Sequence, residues 1–410
     1  MTRLLLLTPS ELTRDPRARR AALAARRYGL SPVGLSGQIS GADPLELDGV
    51  AVARLRRERV APGLRAVGLG GMKRERPLFR EARGIYRLLR LARLTVELYR
   101  TGRILGRFDV VHANDLDTLP AAWLLARASG ARLVYDAHEL YTEQEPDPPR
   151  LHRAVARATE GALARRADAV VTVSELIADE LRQRLRLDET PTAVLNAPER
   201  DDTEPPPRAD GPLRAIYQGA MGPGRPLEDL LGAAERAPEV QFTLRVLGAS
   251  QDALRQAAAH LPNVEVVEPV PPDRLVAALH GHDVGLIINR PVTQNDELVF
   301  PNKLFEYLMA GLAVAVPRLP GMTPLVEGEG VGVTYEPGQP EKLGEVLTSL
   351  ARDPEFAARM RLTARRRALE RYNAEAQQEV LASVWRVSRS TPPASAGDVG
   401  AASSRLPTRR

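Results

Sequence analysis

The chain has 410 residues, no cysteine, 27% charged and 4% aromatic residues, and a formal net charge of +5. Its length suits two domains of ordinary size, and the missing cysteine excludes disulfides, thiol catalysis and Cys-ligated metal sites. With few aromatics and no stacking platform among the basic residues, nucleic acid is not expected as a partner.

In chain order, Arg3–Thr8 is the first strong element; its four leucines at 4–7 are too few for a signal segment or a membrane span and read as a buried strand. Asp15-Pro-Arg-Ala-Arg-Arg20 then leads into a helix. The Asp and Arg residues of that segment, Asp15 and Arg17 first among them, are candidates for touching an acceptor or a phosphate. Between residues 54 and 107 stand sixteen Arg and Lys against four acids, so one edge of the first half is strongly basic and the remainder of the chain is net acidic. Within that run Arg80, Arg83, Arg87 and Arg90 repeat at helical spacing. Ile85, Leu88, Leu89, Ala92, Val96 and Tyr99 form an apolar stripe expected to face a core. The excess charge predicts attraction to an anionic membrane surface or a lipid-phosphate acceptor.

Short apolar runs at 109–112, 132–136 and 169–173, separated by helical stretches such as 119–127, follow the pattern of a parallel sheet with crossover helices. Ligands of such sheets sit beyond the carboxyl ends of the strands. That rule selects Asn114 and Asp115 in His112-Ala-Asn-Asp115, and His138 and Glu139 in Tyr135-Asp-Ala-His-Glu139. A His after a strand is often a loop or core hydrogen-bonder, and Asn114, Asp115 and Asp117 read equally as turn and cap residues. Asp115-Leu-Asp117 also matches a metal-holding Asp-x-Asp pattern, but three common residues are a weak signal and no metal is expected.

Residues 200–211, with acids, three consecutive prolines and glycine, break the alternation and read as a linker. A second series of strand signals follows at 213–218, 241–247, 264–267, 283–288, 312–316 and 331–335, implying two Rossmann-like domains with a cleft between them. Tyr217-Gln-Gly-Ala-Met-Gly-Pro-Gly-Arg225 runs a strand into a glycine-rich loop. Gly219, Gly222 and Gly224 permit close backbone approach to a diphosphate, and Arg225 offers a bidentate cation. The spacing is neither a dinucleotide fingerprint nor a P-loop, and a plain turn with an exposed Arg fits it too. Gly248 follows the next strand, near a nucleotide or in a tight turn. Pro301-Asn-Lys-Leu-Phe-Glu-Tyr-Leu-Met-Ala-Gly311 reads as a short helix. Asn302, Lys303 and Glu306 share a polar face near its start, while Leu304, Phe305 and Leu308 turn to a core. A helix N-terminus attracts anions, Lys303 adds a charge for a diphosphate, and Glu306 is a bidentate acceptor for ribose hydroxyls. An amphipathic surface helix with an ordinary Lys–Glu pair fits the same residues. From residue 390 onward no apolar period remains, which predicts a disordered tail.

Taken in order, the Pro301-to-Tyr307 helix, Gly311-Leu-Ala-Val-Ala-Val316, Glu336-Pro-Gly338, Asp353-Pro-Glu355, the Arg-rich helix to Arg371 and Tyr372-Asn-Ala-Glu-Ala-Gln-Gln378 resemble the donor-binding half of glycosyltransferase family 4. The likeness reaches back to residue 15. It implies the GT-B fold, an α/β architecture of two Rossmann-like domains facing a central cleft. Residues 1–199 would form the acceptor-side domain, 200–212 the linker and 213–371 the nucleotide-sugar domain. Residues 372–389 would form a helix crossing back, and 390–410 the tail.

The resemblance also implies transfer of a sugar from a nucleoside diphosphate donor to a hydroxyl acceptor that is a glycan, a lipid-linked molecule or a small molecule, with anomeric retention and no cofactor or metal. His138 and Glu139 would act in the cleft. Gly219, Arg225, Asn302, Lys303 and Glu306 would hold the donor, and Asp15, Arg17 and Asp115 would lie on the acceptor side. The expected location is the cytoplasm, with attachment to the inner membrane face through the basic edge. Two departures stand out. Many members carry two glutamates eight positions apart; Glu306 fits the second, but Leu298 stands at the first with Glu297 one place off, and the first strand lacks a Gly-Gly loop. These departures keep open a non-catalytic GT-B scaffold, and a sugar-nucleotide epimerase of similar shape is a further reading.

Overall fold

A computed structural model describes residues 1–37, 46–55, 77–205, 210–222 and 224–386. The tail from residue 390, Pro206 and Pro207 of the linker, and the basic run at 56–76 lie outside them.

The first half alternates strands and helices. Strands β1 (Arg3–Thr8), β2 (Ser31–Ser36), β3 (Glu46–Leu47), β4 (Val50–Arg54), β5 (Val110–Asn114), β6 (Arg132–Ala137), β7 (Ala169–Thr172) and β8 (Thr192–Ala193) build one eight-stranded sheet. Its order is β3-β4-β2-β1-β5-β6-β7-β8, parallel except for the β3–β4 pair. Helices α2 (Pro77–Ile104), α3 (Leu119–Ser129), α4 (Arg150–Ala164) and α5 (Glu175–Leu185) pack on the face lined by Leu5, Leu7, Val111 and Tyr135. Helix α1 (Pro16–Arg27) covers the other face, against Leu4, Leu6, Val110 and Val134. All four leucines of β1 are wholly buried, as a strand covered on both faces requires.

The second half repeats the scheme. Strands β9 (Leu213–Ala220), β10 (Val240–Leu247), β11 (Val264–Val266), β12 (Val284–Leu286), β13 (Ala313–Pro317) and β14 (Gly332–Tyr335) form a parallel sheet in the order β11-β10-β9-β12-β13-β14. Between and after them run α6 (Leu227–Arg236), α7 (Gln251–Ala258), α8 (Gln294–Leu298), α9 (Asn302–Met309), α10 (Thr323–Gly328), α11 (Pro340–Arg352) and α12 (Pro354–Glu370). The last helix, α13 (Ala374–Val384), packs beside α1 on the first sheet, where Trp385 is 1% exposed and donates its indole N–H to His112 Nδ1 at 3.1 Å. No described helix is long and apolar enough to cross a membrane.

Each sheet has one point where the chain reverses its direction of growth: between β1 and β5 in the first, between β9 and β12 in the second. Crevices for ligands form beyond the carboxyl ends of strands at such points. The loops after β1, β5 and β6 on one side, and after β9 together with the start of α9 on the other, therefore define the cleft.

Two expectations need correction. Strands β2, β3, β4 and β8 were not anticipated. Pro32 and Gly34 make β2 read as a loop, yet Pro32 precedes the start of β4 pairing at Val33, and a Cβ on Gly34 would stand 2.4 Å from Leu12. Most of the apolar stripe of α2 does not face the core: Ile85, Leu89 and Val96 are 48%, 66% and 46% exposed and Ala92 is exposed as well, while Leu88 is half-buried and only Tyr99 of the stripe packs against the core. The buried side of α2 runs instead through Gly84, Leu98 and Gly102, where the glycines admit Pro149 and Leu125.

Candidate active site

On the second-domain side, β9 ends at Gly219 and Ala220, and the tight turn that follows is closed by Arg225 N donating to Gly222 O at 2.8 Å. Arg225 is exposed and precedes α6, rather than starting it. Helix α9 begins at Asn302, with Pro301 as its N-cap and Gly311 at φ 73° after its end. Leu304, Phe305, Tyr307 and Leu308 are fully buried beneath it. Asn302 is exposed, whereas Lys303 is 8% exposed, so the three polar residues do not share a single environment.

Lys303 reaches under the end of β9. Its Nζ lies 4.2 Å from the ring centre of Tyr217 and has no hydrogen-bond partner. Gly219 has φ 140°, a backbone conformation that favours glycine, and a Cβ there would sit 2.9 Å from that Nζ and push it aside. Burial, with Arg225 nearby, pulls the Lys303 ammonium down to about 7, against the opposing pull of Glu306. The Glu306 carboxyl is raised by burial and counteracted by a hydrogen bond from Gln218 Nε2 at 3.0 Å. Gln218 is itself held: its Oε1 accepts from Arg245 at 3.0 Å and its N–H donates to Tyr307 Oη at 2.9 Å. A carboxylate, a buried unpaired ammonium and an exposed guanidinium thus converge at one strand end, a set suited to a ribose and its diphosphate.

On the first-domain side, His138 follows β6. Its Nδ1 lies 3.4 Å from Asp115 Oδ2 and its Nε2 3.8 Å from Asp136 Oδ2, so both ring nitrogens face carboxylates. Asp115 occupies the left-handed region at φ 62°, and burial raises its carboxyl. Burial likewise raises Glu139, and Asp115 adds to the effect; Asn295 of the second domain bonds to it. Asn114 is part of β5 and donates to Leu7 O at 2.8 Å, while Asp117 accepts from Tyr141 Oη at 3.2 Å. None of the three caps α3, whose N-cap is Thr118. Asp115 and Asp117 thus serve different partners, and the described residues contain no group of three or more His, Asp and Glu placed to hold a metal ion.

Asp15 caps α1, accepting from the N–H groups of Arg17 and Ala18, and binds Ser10 Oγ at 2.8 Å. Arg17 is sealed into the sheet, with Nε and Nη2 at 2.8 and 2.7 Å from the two oxygens of Asp136 and Nη1 on Val194 O. That pairing drives the Asp136 carboxyl below its ordinary range despite burial. Of the two expected acceptor-side residues on α1, Arg17 is therefore committed to the fold. Arg20, one turn on, is aimed across the cleft: its charge acts on Glu306, it donates to Asn196 Oδ1 at 2.9 Å, and burial together with Arg17 pulls it down to about 10.

Sequence reasoning missed Asp136, Gln218 and Arg245, and took Arg20 only as one of the arginines at 15–20. The three missed residues are polar residues inside otherwise apolar strands, and a polar side chain at a buried strand position was the available signal. Leu298, which stands where many family members have a glutamate, packs with Val299 against the core of the first domain. Glu297 beside it contributes its carbonyl to Gly321 N at 2.8 Å.

Solved structures with the same architecture include sucrose-phosphate synthase from Thermosynechococcus elongatus (TM-score 0.71, 16% identity, covering 94% of this chain and 98% of that one). Anabaena HepE in complex with UDP matches with TM-score 0.67 and 17% identity over 93% of this chain and 99% of that one. A glycosyltransferase from Rickettsia africae matches with TM-score 0.64 and 12% identity over 94% and 97%. At these identities the likeness establishes the fold, the two-domain α/β GT-B architecture. No curated protein sequence matches the chain. Residues 50–197 match the family model Glycosyltransferase Family 4, and residues 225–382 match Glycosyl transferase-like. A glycosyltransferase model thus matches each half of this GT-B chain, Glycosyltransferase Family 4 on the first and Glycosyl transferase-like on the second.

Proposed function

We propose that the protein transfers a sugar from a nucleoside diphosphate donor to an acceptor hydroxyl, with the donor held by the second domain. The observation that carries this reading is the Lys303 ammonium, buried and unpaired against Gly219 and Tyr217. A buried cation without a partner is costly, so a site that retains one is built for an anion that arrives later. A diphosphate fits, because Arg225 and the first N–H groups of α9 flank the same spot. The donor complex of Anabaena HepE with UDP-glucose, a protein of the same fold, supports this donor class.

In the reaction, the bond from the anomeric carbon to the diphosphate oxygen breaks, the bond to the acceptor oxygen forms, and the acceptor proton passes to the departing diphosphate and from there to solvent. Charge grows on the leaving diphosphate, where Lys303 and Arg225 stabilise it; each charge-assisted hydrogen bond contributes about 1.5–3 kcal/mol, or roughly tenfold or more in rate. Glu306, oriented by Gln218, takes the ribose hydroxyls. His138, between Asp115 and Asp136, orients the sugar or the incoming hydroxyl, with Glu139 beside it. No metal or cofactor is required in this scheme, and the anomeric configuration is retained, as the resemblance implies. The acceptor is a glycan, a lipid-linked or a small-molecule hydroxyl.

A thermal-shift panel of UDP-, GDP- and ADP-sugars tests the reading. One donor class should raise the melting temperature of the wild type and not of Lys303→Ala. No shift with any donor would favour a scaffold that has lost its substrate, and activity abolished by EDTA and restored by manganese would overturn the metal-free scheme.

A further inference from the structure

Helix α2 turns an apolar line to solvent. Ile85, Leu89, Ala92 and Val96 recur three and four apart along one face, and the same line continues into Arg100 and Arg103, both exposed. The opposite side of the helix is already used, with Leu98 buried in the core and Gly102 against Leu125. Helix α4 repeats the feature next door, where Leu151 and Val155 are 48% and 39% exposed with Ala154 and Ala158 between and beyond them. The two helices are joined at their starts: Glu81 accepts from the N–H groups of Arg150 and Leu151 at 3.0 and 3.2 Å, and Gly84 lies against Pro149 and His152. Both acids of α2 are occupied, Glu81 by those amides and Glu97 by Arg93.

We propose that this outer face of the first domain docks on an anionic lipid bilayer, with Ile85, Leu89 and Val96 entering the headgroup boundary and Arg100 and Arg103 meeting lipid phosphates. An apolar line ending in a cluster of guanidinium groups is the pattern of a helix lying in a membrane interface. A second copy of the chain is the poorer occupant, because pairing two copies of this face brings net positive charge against net positive charge. The inference is independent of the donor site.

The test is vesicle flotation of the full chain with phosphatidylcholine vesicles, with and without phosphatidylglycerol, at low and high salt. The wild type should float with the anionic vesicles only and lose binding at high salt. I85E/L89E and R100E/R103E should each partition about tenfold more weakly or worse. Circular dichroism controls for folding, and an unchanged donor-induced thermal shift in the variants separates this inference from the proposed function. Absence of wild-type flotation on anionic vesicles, or equal flotation by I85E/L89E, would overturn it. So would a wild-type dimer in analytical ultracentrifugation that I85E/L89E dissolves, since the face would then belong to a second copy.

Discussion

Lys303 is the residue at which folding and ligand binding pull in opposite directions. Its folded pKa of about 7 lies below the ordinary lysine value of 10.5 because burial penalises the ammonium. The unfolded chain therefore binds more protons than the folded one between about pH 7 and 10.5, and this group makes the free protein more stable as pH rises through that window. A bound diphosphate reverses the preference by favouring the ammonium. Donor binding above pH 7 should accordingly take up a proton, and affinity should fall as pH rises, which calorimetry in buffers of differing ionisation enthalpy would reveal. Lys303→Met should bind donor weakly, with no proton uptake attributable to this site.

Glu306 gives a second test at the same scale. Glu306→Gln should lose about 1.5–3 kcal/mol of donor affinity, roughly tenfold to a hundredfold. Against a 2′,3′-dideoxyribose donor analogue, the wild type and the variant should bind alike. Equal loss with the analogue would show that the carboxylate holds something other than the ribose.

At the scale of elements, α4 is fastened to β6 by a buried pair in which Tyr135 Oη donates to Glu160 at 2.7 Å. Burial raises the Glu160 carboxyl to about 7, against the lowering effect of the tyrosine bond. A carboxyl raised in the folded state holds its proton between about 4.5 and 7 while the unfolded chain has released it, so stability falls as pH rises through that window. The loss above pH 7 should approach about 3 kcal/mol, and Glu160→Gln should flatten the decline in melting temperature between pH 5 and 8.

Elements of this kind also show where the sequence was readable. The leucines of β1, the short apolar strands of both sheets and the Pro301-to-Gly311 helix announce themselves because a parallel strand buried on both faces must be apolar, and because a helix end needs its glycine. The α2 stripe misled, since apolar spacing reports an amphipathic face without saying what covers it. Strands β3 and β8 are two residues each and carry no period, and in β2 a proline and a glycine are tolerated for reasons only neighbours supply. At the site, Lys303 and His138 were visible from motif and strand-end position. Gln218 and Arg245 were not, because their roles depend on partners 88 and 27 residues away, and Arg20 stood out only as one of the arginines at 15–20.

At the scale of the whole molecule, helix α8 belongs to the second domain by sequence and to the first by packing. Leu298 and Val299 lie against the first core, Asn295 Oδ1 accepts from Leu140 N at 3.0 Å, and Ser174 Oγ donates to Leu298 O at 3.4 Å. A carboxylate at position 298 would lose this apolar packing against the first core. Leu298 and Val299 thus form a hydrophobic clasp between the two halves, and the first-domain loop carrying His138 and Glu139 is held in register with the donor side through Asn295. Leu298→Glu should release that clasp. The radius of gyration from small-angle scattering should grow as the halves part, and turnover should fall. Donor affinity at Lys303 and Glu306 should stay within a few-fold, because the groups set to hold the donor, Gly219, Arg225, Lys303 and Glu306, all belong to the second domain and none packs through α8. An unchanged scattering profile with turnover intact would mean that α8 does not hold the halves together, whereas loss of donor affinity in step with turnover would place the effect of Leu298 in the donor site itself.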